Sequence, residues 1–423
     1  MILSPRGVED ILPERIYQYQ WLERKACSIF SLHGYDEIRT PTFEKTELFL
    51  RSVGQETDAG KQMYTFLDKK GRKLSLRPEA TASVARAYLE HKLDKQSAEW
   101  RVFYIGSMFR YERPQAGRLR EFRQIGVEAI GQASPYLDVE IISIGFEFFR
   151  EIGFADFDIQ LNSIGCKKCS SLYKRELKKY LKNHIDGLCS VCKNRLEYNT
   201  LRVLDCKNKE CRLIIEQVPV LGDYLCDDCQ IHFERVKMGL GYIGIQFSFN
   251  PRLVRGLDYY TRTVFEFVAP SLGAQDTICG GGRYDDLVEE LGGPSTPAAG
   301  FSIGIERLLI ALNKNRAEIP SAVTPFIYIA TLGEANQTKG YQIAALFRSQ
   351  GIRTWLNLSE KSLSSQLKIA DKKGIKWVMI VGEREVTENR FILRNMQTGN
   401  QEKIDWADLK QFIKRFKSTV CSI

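Results

Sequence analysis

The chain has 423 residues, 43% of them apolar and 27% charged, which is the balance of a folded globular protein and excludes a disordered or collagen-like chain. No apolar run approaches the ~20 residues that a bilayer span needs, and the opening MILSPRGVED lacks a basic stretch followed by an apolar one, so the expected location is cytoplasmic, with no membrane partner. The net charge of +9 is uneven: Val323–Ile423 carries 16 basic against 9 acidic residues, while the first 322 residues carry 45 against 43. A basic C-terminal module on a nearly neutral body fits either a polyanionic partner or a solvated surface.

In chain order, residues 15–33 have the periodicity of an amphipathic helix closed by Gly34, and Tyr35–Phe43 reads as a strand interrupted by Pro41. A helix is predicted over 78–91, opening at Pro78. The runs 101–110 and 121–130 form a long hairpin around the basic loop YERPQAGRLR. A helix follows over 138–151 and a strand over 154–163. Alternation predicts further strands through Ile243, Ile245, Phe247 and Phe249, and through Thr263, Phe265 and Phe267. CGGGRYDDLV (279–288) reads as a glycine-rich turn leading into a helix. GGPSTPAA (292–299) reads as a loop, and GFSIGIERLLIAL (300–312) as a strand followed by a helix. Beyond Pro320, strand and helix alternate at 326–331, 336–350, 352–357, 362–373 and 377–382, with later elements at 391–396 and 405–417. That pattern predicts a layered α/β module with a partly parallel sheet. The fold class is therefore α+β: an antiparallel body over 1–320 with a cysteine-rich insertion at approximately 166–235, and a separate α/β domain over 321–423.

Four segments carry candidate chemistry. The hairpin places Arg110, Arg113, Arg118, Arg120 and Arg123 beside Glu121, Gln124 and Glu128, and guanidiniums so crowded repel one another unless ion pairs or an anion such as a triphosphate sit among them. In LVRGLDYYTRTVFEF (253–267), Arg255, Asp258, Tyr259 and Tyr260 precede a strand, a composition that suits a small polar ligand or caps a core. Tyr284 and Asp285 follow the glycine triplet. Arg307 lies near the start of a helix, where it can reach phosphate or stack on a flat ring.

Eight of the eleven cysteines fall between 166 and 229, as Cys166-x2-Cys169, Cys189-x2-Cys192, Cys206-x4-Cys211 and Cys226-x2-Cys229. Four pairs at this spacing suit two tetrahedral zinc sites of structural type, with reduced thiols or an iron–sulfur site as the other readings. Spacing alone leaves three ways to group the pairs. Cys27, Cys279 and Cys421 have no partner by spacing.

The ordered set PRGVEDILP (5–13), GYDEIRTPTFE (34–44), LRPEAT (76–81), MFRYERPQAGRLREFRQIGVE (108–128), LVRGLDYYTRTVFE (253–266), CGGGRYDDLV and GFSIGIERL (300–308) resembles the class II aminoacyl-tRNA synthetases, and within them the histidyl-tRNA synthetase family of bacterial type. The resemblance covers nearly the whole chain. It implies a class II catalytic domain, a C-terminal anticodon-binding domain, and a homodimer formed through the segment around Pro41. It implies a ligase that activates L-histidine with ATP and Mg2+ to histidyl-adenylate and pyrophosphate, then transfers histidine to the 3′ end of tRNA(His). Arg110 and Arg255 would carry the catalysis at the α-phosphate. Arg118 and Arg307 would reach the β/γ end, and adenine would stack between Phe122 and Arg307. Glu79, Thr81 and Gln124 would bind the ammonium and carboxylate of histidine, while Glu128, Tyr259, Tyr260 and Tyr284 would line its imidazole pocket. Gln115 would meet the tRNA acceptor end. The chain departs from the family with Tyr111 and Arg123 where His is common and Ala80 where Gly is frequent; Tyr111 and Arg123 bear on tRNA contacts or ATP positioning. Members often lack the cysteines, so a metal there would stabilise the insertion and stand outside the reaction. A different class of protein, a catalytically silent histidine-sensing regulatory paralogue, shares this body but typically loses the catalytic arginines and the C-terminal module. Here both are present.

Overall fold

The structure, a computed structural model, describes residues 2–54, 57–273, 276–320 and 326–420. The chain forms two compact units, Met1–Ser321 and Ala322–Ile423; Cys421 lies outside the described residues.

The first unit carries strands β1 (Asp36–Glu37), β2 (Phe43–Lys45), β3 (Thr65–Leu67), β4 (Lys73–Leu76), β5 (Trp100–Phe109), β6 (Glu121–Ile130), β7 (Asp158–Ser163), β8 (Ser248–Phe249), β9 (Thr261–Val268), β10 (Thr277–Arg283) and β11 (Ala298–Gly304). Eight of them form one sheet in the order β1-β5-β6-β11-β10-β9-β7-β8, antiparallel except for the outermost pair at each end. Alternation along the central strands divides its two faces. Ile125, Val127 and Ala129 of β6, Phe265 and Phe267 of β9, and Phe301 and Ile303 of β11 join the main core with the helices Pro13–Leu32, Pro135–Glu151, Asp227–Tyr242 and Ile305–Lys314. Gln124 and Glu128 of β6 lie on the opposite face, which is an open cleft. β2, β4 and β3 form a separate small sheet.

Five sequence expectations need correction. Tyr35–Phe43 is not one strand: Pro41, with no N–H to donate, stands where the chain leaves β1 for β2 in a different sheet. The helix predicted from Pro78 begins at Thr81, because the Glu79 carboxylate folds over to accept the backbone N–H groups of Thr81 and Ala82 at 2.6 and 3.0 Å. The strand expected over 154–163 starts at Asp158, since Phe154 still donates its N–H to the helix carbonyl of Phe149. Ile243 and Ile245 close the helix Asp227–Tyr242 through Gly239 and Leu240, with Gly244 at φ 72° between them, which leaves only β8 of the predicted strand. The glycine triplet is no turn: Gly280, Gly281 and Gly282 sit inside β10, paired on both sides.

The second unit is a five-stranded sheet, β12 (Ile327–Thr331), β13 (Thr354–Leu356), β14 (Trp377–Val381), β15 (Arg390–Asn395) and β16 (Gln401–Asp405), in the order β13-β12-β14-β15-β16. β12 pairs in parallel with β13 and β14, and the last two ladders are antiparallel. Ile327 and Ile329 face a core shared with the helices Gln337–Ser349 and Leu409–Val420, while Tyr328 and Ala330 face Ala370 of the helix Leu363–Lys372. Burial on both faces explains the apolar runs of this sheet.

Candidate active site

The cleft of about 890 Å³ lies on the open face of the large sheet and is lined by Glu79, Thr81, Arg110, Arg118, Phe122, Gln124, Glu128, Arg255, Tyr259, Tyr260, Tyr284 and Arg307. Twelve residues expected from sequence thus meet in one cavity of ligand size. Gln115 is not in the cleft lining: it is exposed at the hairpin tip, bridged through its backbone to Arg118.

Glycines make the depth possible. A methyl on Gly300 would collide with the Glu128 carboxylate, one on Gly280 with the Arg255 guanidinium, and one on Gly282 with the Thr263 carbonyl and, at 3.0 Å, the Tyr260 ring. Long polar side chains therefore lie flat against the sheet where other residues would fill the space.

Part of the cleft lining is made of carboxylates and phenols. Glu128, 1% exposed, accepts from Thr81 Oγ1 at 2.6 Å and from the Tyr284 hydroxyl. The rings of Tyr259 and Tyr260 lie 4.8 Å apart, and Tyr284 meets Tyr259 edge-on at 5.7 Å. Burial lifts the Glu128 carboxyl to about 8, and it lifts Glu79 above the usual carboxylate range against the two backbone donors that oppose it. Gln124 donates from Nε2 to Ser302 Oγ at 3.3 Å, while its buried Oε1 has no partner among the described residues. An acceptor left open in a polar cleft is suited to an ammonium.

Arginines share the lining with them. Arg110 donates from Nε to the Pro78 carbonyl at 2.9 Å and lies over Phe122 at 5.3 Å. Arg307 donates to the Thr277 carbonyl at 2.9 Å, and Arg118 pairs with Glu112 at 3.2 Å. Burial lowers the pKa of Arg110 and of Arg307, and Arg118 pushes Arg307 further the same way. An anion bound among them relieves both. Arg255 is paired with Glu266, which also accepts from Thr277 Oγ1 at 2.9 Å; the Arg255 Nε is buried and has no partner among the described residues. Glu266 was not anticipated, although a lone carboxylate in TRTVFEF was a signal for a buried partner. Glu306 was missed as well: its carboxylate accepts the backbone N–H of Arg123 at 3.0 and 3.1 Å, tying the helix that bears Arg307 to β6.

The cysteines form two groups, Cys166/Cys169/Cys226/Cys229 and Cys189/Cys192/Cys206/Cys211, each with its sulfurs within 4.8 Å of one another. The second group lies wholly inside the chain segment that the first closes. Cys166, Cys189 and Cys226 each immediately precede a helix. Backbone N–H groups of Cys166, Cys226 and Cys189 donate to the sulfurs of Cys229, Cys169 and Cys211 at 3.2, 3.1 and 3.1 Å. Sulfur separations of 3.5 Å (Cys166–Cys169) and 3.9 Å (Cys189–Cys206) bracket the spacing of about 3.8 Å expected around a tetrahedral ion with bonds of about 2.3 Å. All eight thiols are free, so the groups fit a metal and are not disulfides.

The family model Histidyl-tRNA synthetase matches residues 7–188 and 193–308, and the Anticodon binding domain model matches 327–416. The chain belongs to the histidyl-tRNA synthetase family. It is 48% identical over 409 residues to the histidine–tRNA ligase of Halothermothrix orenii, covering 96% of this chain and 98% of that one. Identity to the histidine–tRNA ligase of Caldanaerobacter subterraneus subsp. tengcongensis is 44% over 412 residues, covering 97% and 99%. The crystal structure of apo S. aureus histidyl-tRNA synthetase superposes with a TM-score of 0.82 at 35% identity, covering 98% of this chain and all of that one. Of the departures from the family pattern, Arg123 lies over Tyr19 at 5.6 Å and outside the cleft lining, while Tyr111 is exposed with Arg120 stacked on it at 4.0 Å.

The raised pKa of Glu128 has a consequence for stability. The folded protein holds this proton more tightly than the unfolded chain, so the associated stability is complete below the ordinary carboxylate range and is lost as pH rises through about 8. Glu128→Gln removes that loss. Without substrates, its Tm is expected to exceed the parent's by several degrees above about pH 8, the difference shrinking toward about pH 4.5. Equal pH dependence of the two proteins in scanning calorimetry would show that burial does not burden this carboxyl.

Proposed function

We propose that the cleft performs both steps of histidine–tRNA ligation: L-histidine and ATP with its Mg2+ give histidyl-adenylate and pyrophosphate, and the histidyl group then passes to the 3′ end of tRNA(His). The observation that carries this reading is a single cleft in which Arg110, Arg118, Arg255 and Arg307 share the lining with Glu79, Glu128 and the tyrosines, Arg255 lying over the Tyr260 ring at 5.7 Å. In the first step a carboxylate oxygen of histidine attacks the α-phosphorus. Arg110 and Arg255 face the charge that grows there, and cations already fixed by Pro78 and Glu266 need no reorganisation as it develops. Pyrophosphate departs toward Arg118 and Arg307, with adenine between Phe122 and Arg307. Glu79, Thr81 and Gln124 hold the amino-acid end. Glu128 and Tyr260, with Tyr259 and Tyr284, pair both imidazole nitrogens, so an analogue lacking either leaves a buried polar group unpaired and is rejected. In the second step a ribose hydroxyl of the terminal nucleotide attacks the activated carbonyl and AMP leaves; Gln115 meets the acceptor end, and the basic C-terminal unit binds the anticodon region. The regulatory reading finds no support, because all four arginines and the anticodon-binding domain are present.

The two cysteine groups hold structural zinc in this reading and take no part in the reaction. The protein acts in the cytoplasm as a homodimer. An exposed apolar patch on the small sheet supports the dimer: Phe43 and Leu67 are 52% and 64% exposed, and Phe66, packed on Phe43 at 6.2 Å, is 42% exposed.

ATP–pyrophosphate exchange is expected with histidine alone among the twenty amino acids, and Arg255→Ala is expected to slow it roughly 10²–10³-fold with the fold intact. Near-normal exchange in that variant removes Arg255 from the mechanism. Sedimentation at micromolar concentration should give twice the chain mass, falling toward a single chain in Phe66→Glu; a monomeric parent refutes the dimer. Elemental analysis should find about two zinc ions per chain, and a folded protein without metal refutes that assignment.

A further inference from the structure

Residues 252–260 carry Arg255, Tyr259 and Tyr260 into the cleft, yet β9 begins only at Thr261. Asn162 of β7, donating to the Leu253 carbonyl at 3.0 Å, and Glu266 of β9, paired with Arg255, hold it on the sheet side, and the region of the inner cysteine group holds it on the other. Leu253 and Val254 are buried in one apolar cluster with Cys192, Leu196, Val203, Leu204, Cys211 and Ile215. Arg252 donates from Nε to the Ile215 carbonyl at 2.9 Å and from Nη2 to that of Glu216, closing the helix Lys209–Ile215 on which Cys211 sits. A methyl on Gly256 would lie 3.3 Å from the Arg202 guanidinium, so this side chain rests against the turn just after Arg255. Asn199 donates from Nδ2 to Asp258 Oδ1 at 2.7 Å. Asn199 and Arg202 both belong to the stretch between Cys192 and Cys206, two members of the same group of four.

That stretch is anchored by Leu196, Val203 and Leu204 in the apolar cluster, and Arg195 donates to the Arg202 carbonyl at 3.1 Å. Beyond the end of the short helix Ser190–Tyr198 it is a single 3-10 stretch, Thr200–Asp205, with a cysteine of the inner group on either side. A metal bound by Cys189, Cys192, Cys206 and Cys211 pins it at both ends. The outer group meets the chain elsewhere: Ile164 and Gly165 exchange backbone hydrogen bonds with Arg262, inside β9.

We propose that the ion held by the inner cysteine group positions the histidine-activating segment from a distance, through Asn199 on Asp258 and Arg202 against Gly256. Asn199 is a positioning residue, since it touches neither substrate nor the reacting atoms. The inner site therefore sets how well histidine is held, while the outer site sets the stability of the insertion. This rests on the ligase and zinc readings above.

The test uses the full-length protein with three measurements: zinc per chain, histidine affinity by calorimetry, and pyrophosphate exchange with histidine and ATP varied separately. Cys206→Ser is expected to lose about one of two ions and to weaken histidine binding roughly tenfold, with a smaller change in KM for ATP. Asn199→Ala changes a half-buried polar side chain that is not among the eight cysteines, and is expected to keep both ions and a parental Tm while weakening histidine binding by about three- to tenfold. Adding Asn199→Ala to Cys206→Ser should cost little more, because both changes release one segment. Parental histidine binding and exchange in both single variants, with the ion lost as expected from Cys206→Ser, overturns the coupling and leaves the zinc reading standing. A fully active parent without metal overturns both. A parent that binds zinc but shows no exchange with histidine overturns the ligase reading, and the coupling with it.

Discussion

A strand in the middle of a sheet can serve as the floor of a ligand site only where side chains give up their volume, and Gly280, Gly282 and Gly300 do this on adjacent strands. Each costs the chain about 0.5–1 kcal/mol in backbone freedom relative to alanine. The other face of the same sheet offsets that cost: Phe265 and Phe267 of β9 and Phe301 and Ile303 of β11 share the main core with Phe30, Phe148 and Phe149. Everything in the cleft depends on this division of labour. The rigid apolar face keeps the sheet in register, and the bare face lets Arg255, Tyr260 and Glu128 lie along it.

On that floor, charge is arranged by what remains unsatisfied. Arg110 and Arg307 donate to backbone carbonyls, and burial lowers the pKa of both. Arg255 has its carboxylate in Glu266 and presents a buried Nε with no partner among the described residues. Glu128 accepts from two hydroxyls, those of Thr81 and Tyr284. A bound polar ligand relieves groups that the empty protein keeps desolvated at a cost.

The sequence revealed the cleft's residues more readily than its construction. Arginines and tyrosines at strand ends pointed to part of the lining, and the family resemblance of the ordered motifs added Glu79, Thr81 and Phe122 to make the twelve. The glycine triplet was misread because local rules assign glycine to turns, whereas its reason here is the Arg255 and Tyr260 side chains brought over it from a different part of the chain. For the same reason Glu266 and Glu306 escaped notice, since their roles exist only once β9 and the helix Ile305–Lys314 are placed beside their partners. The helix start at Thr81 shows a local rule overridden: Pro78 is a good opening residue, but the Glu79 carboxylate captures the first two donors. Cysteine spacing announced two metal-type groups, and only the folded chain could choose among the three groupings.

That grouping is nested, and nesting imposes an order of assembly. Cys189 and Cys211 are 22 residues apart, whereas Cys166 and Cys229 are 63 apart. Closing the shorter loop costs less chain entropy, and once closed it shortens the effective length that the outer four must span. During synthesis the inner four also leave the ribosome before Cys226 and Cys229 do. The insertion thus completes itself from the inside outward, and the segment bearing Arg255, which follows it in the chain, emerges onto a surface already formed to receive it.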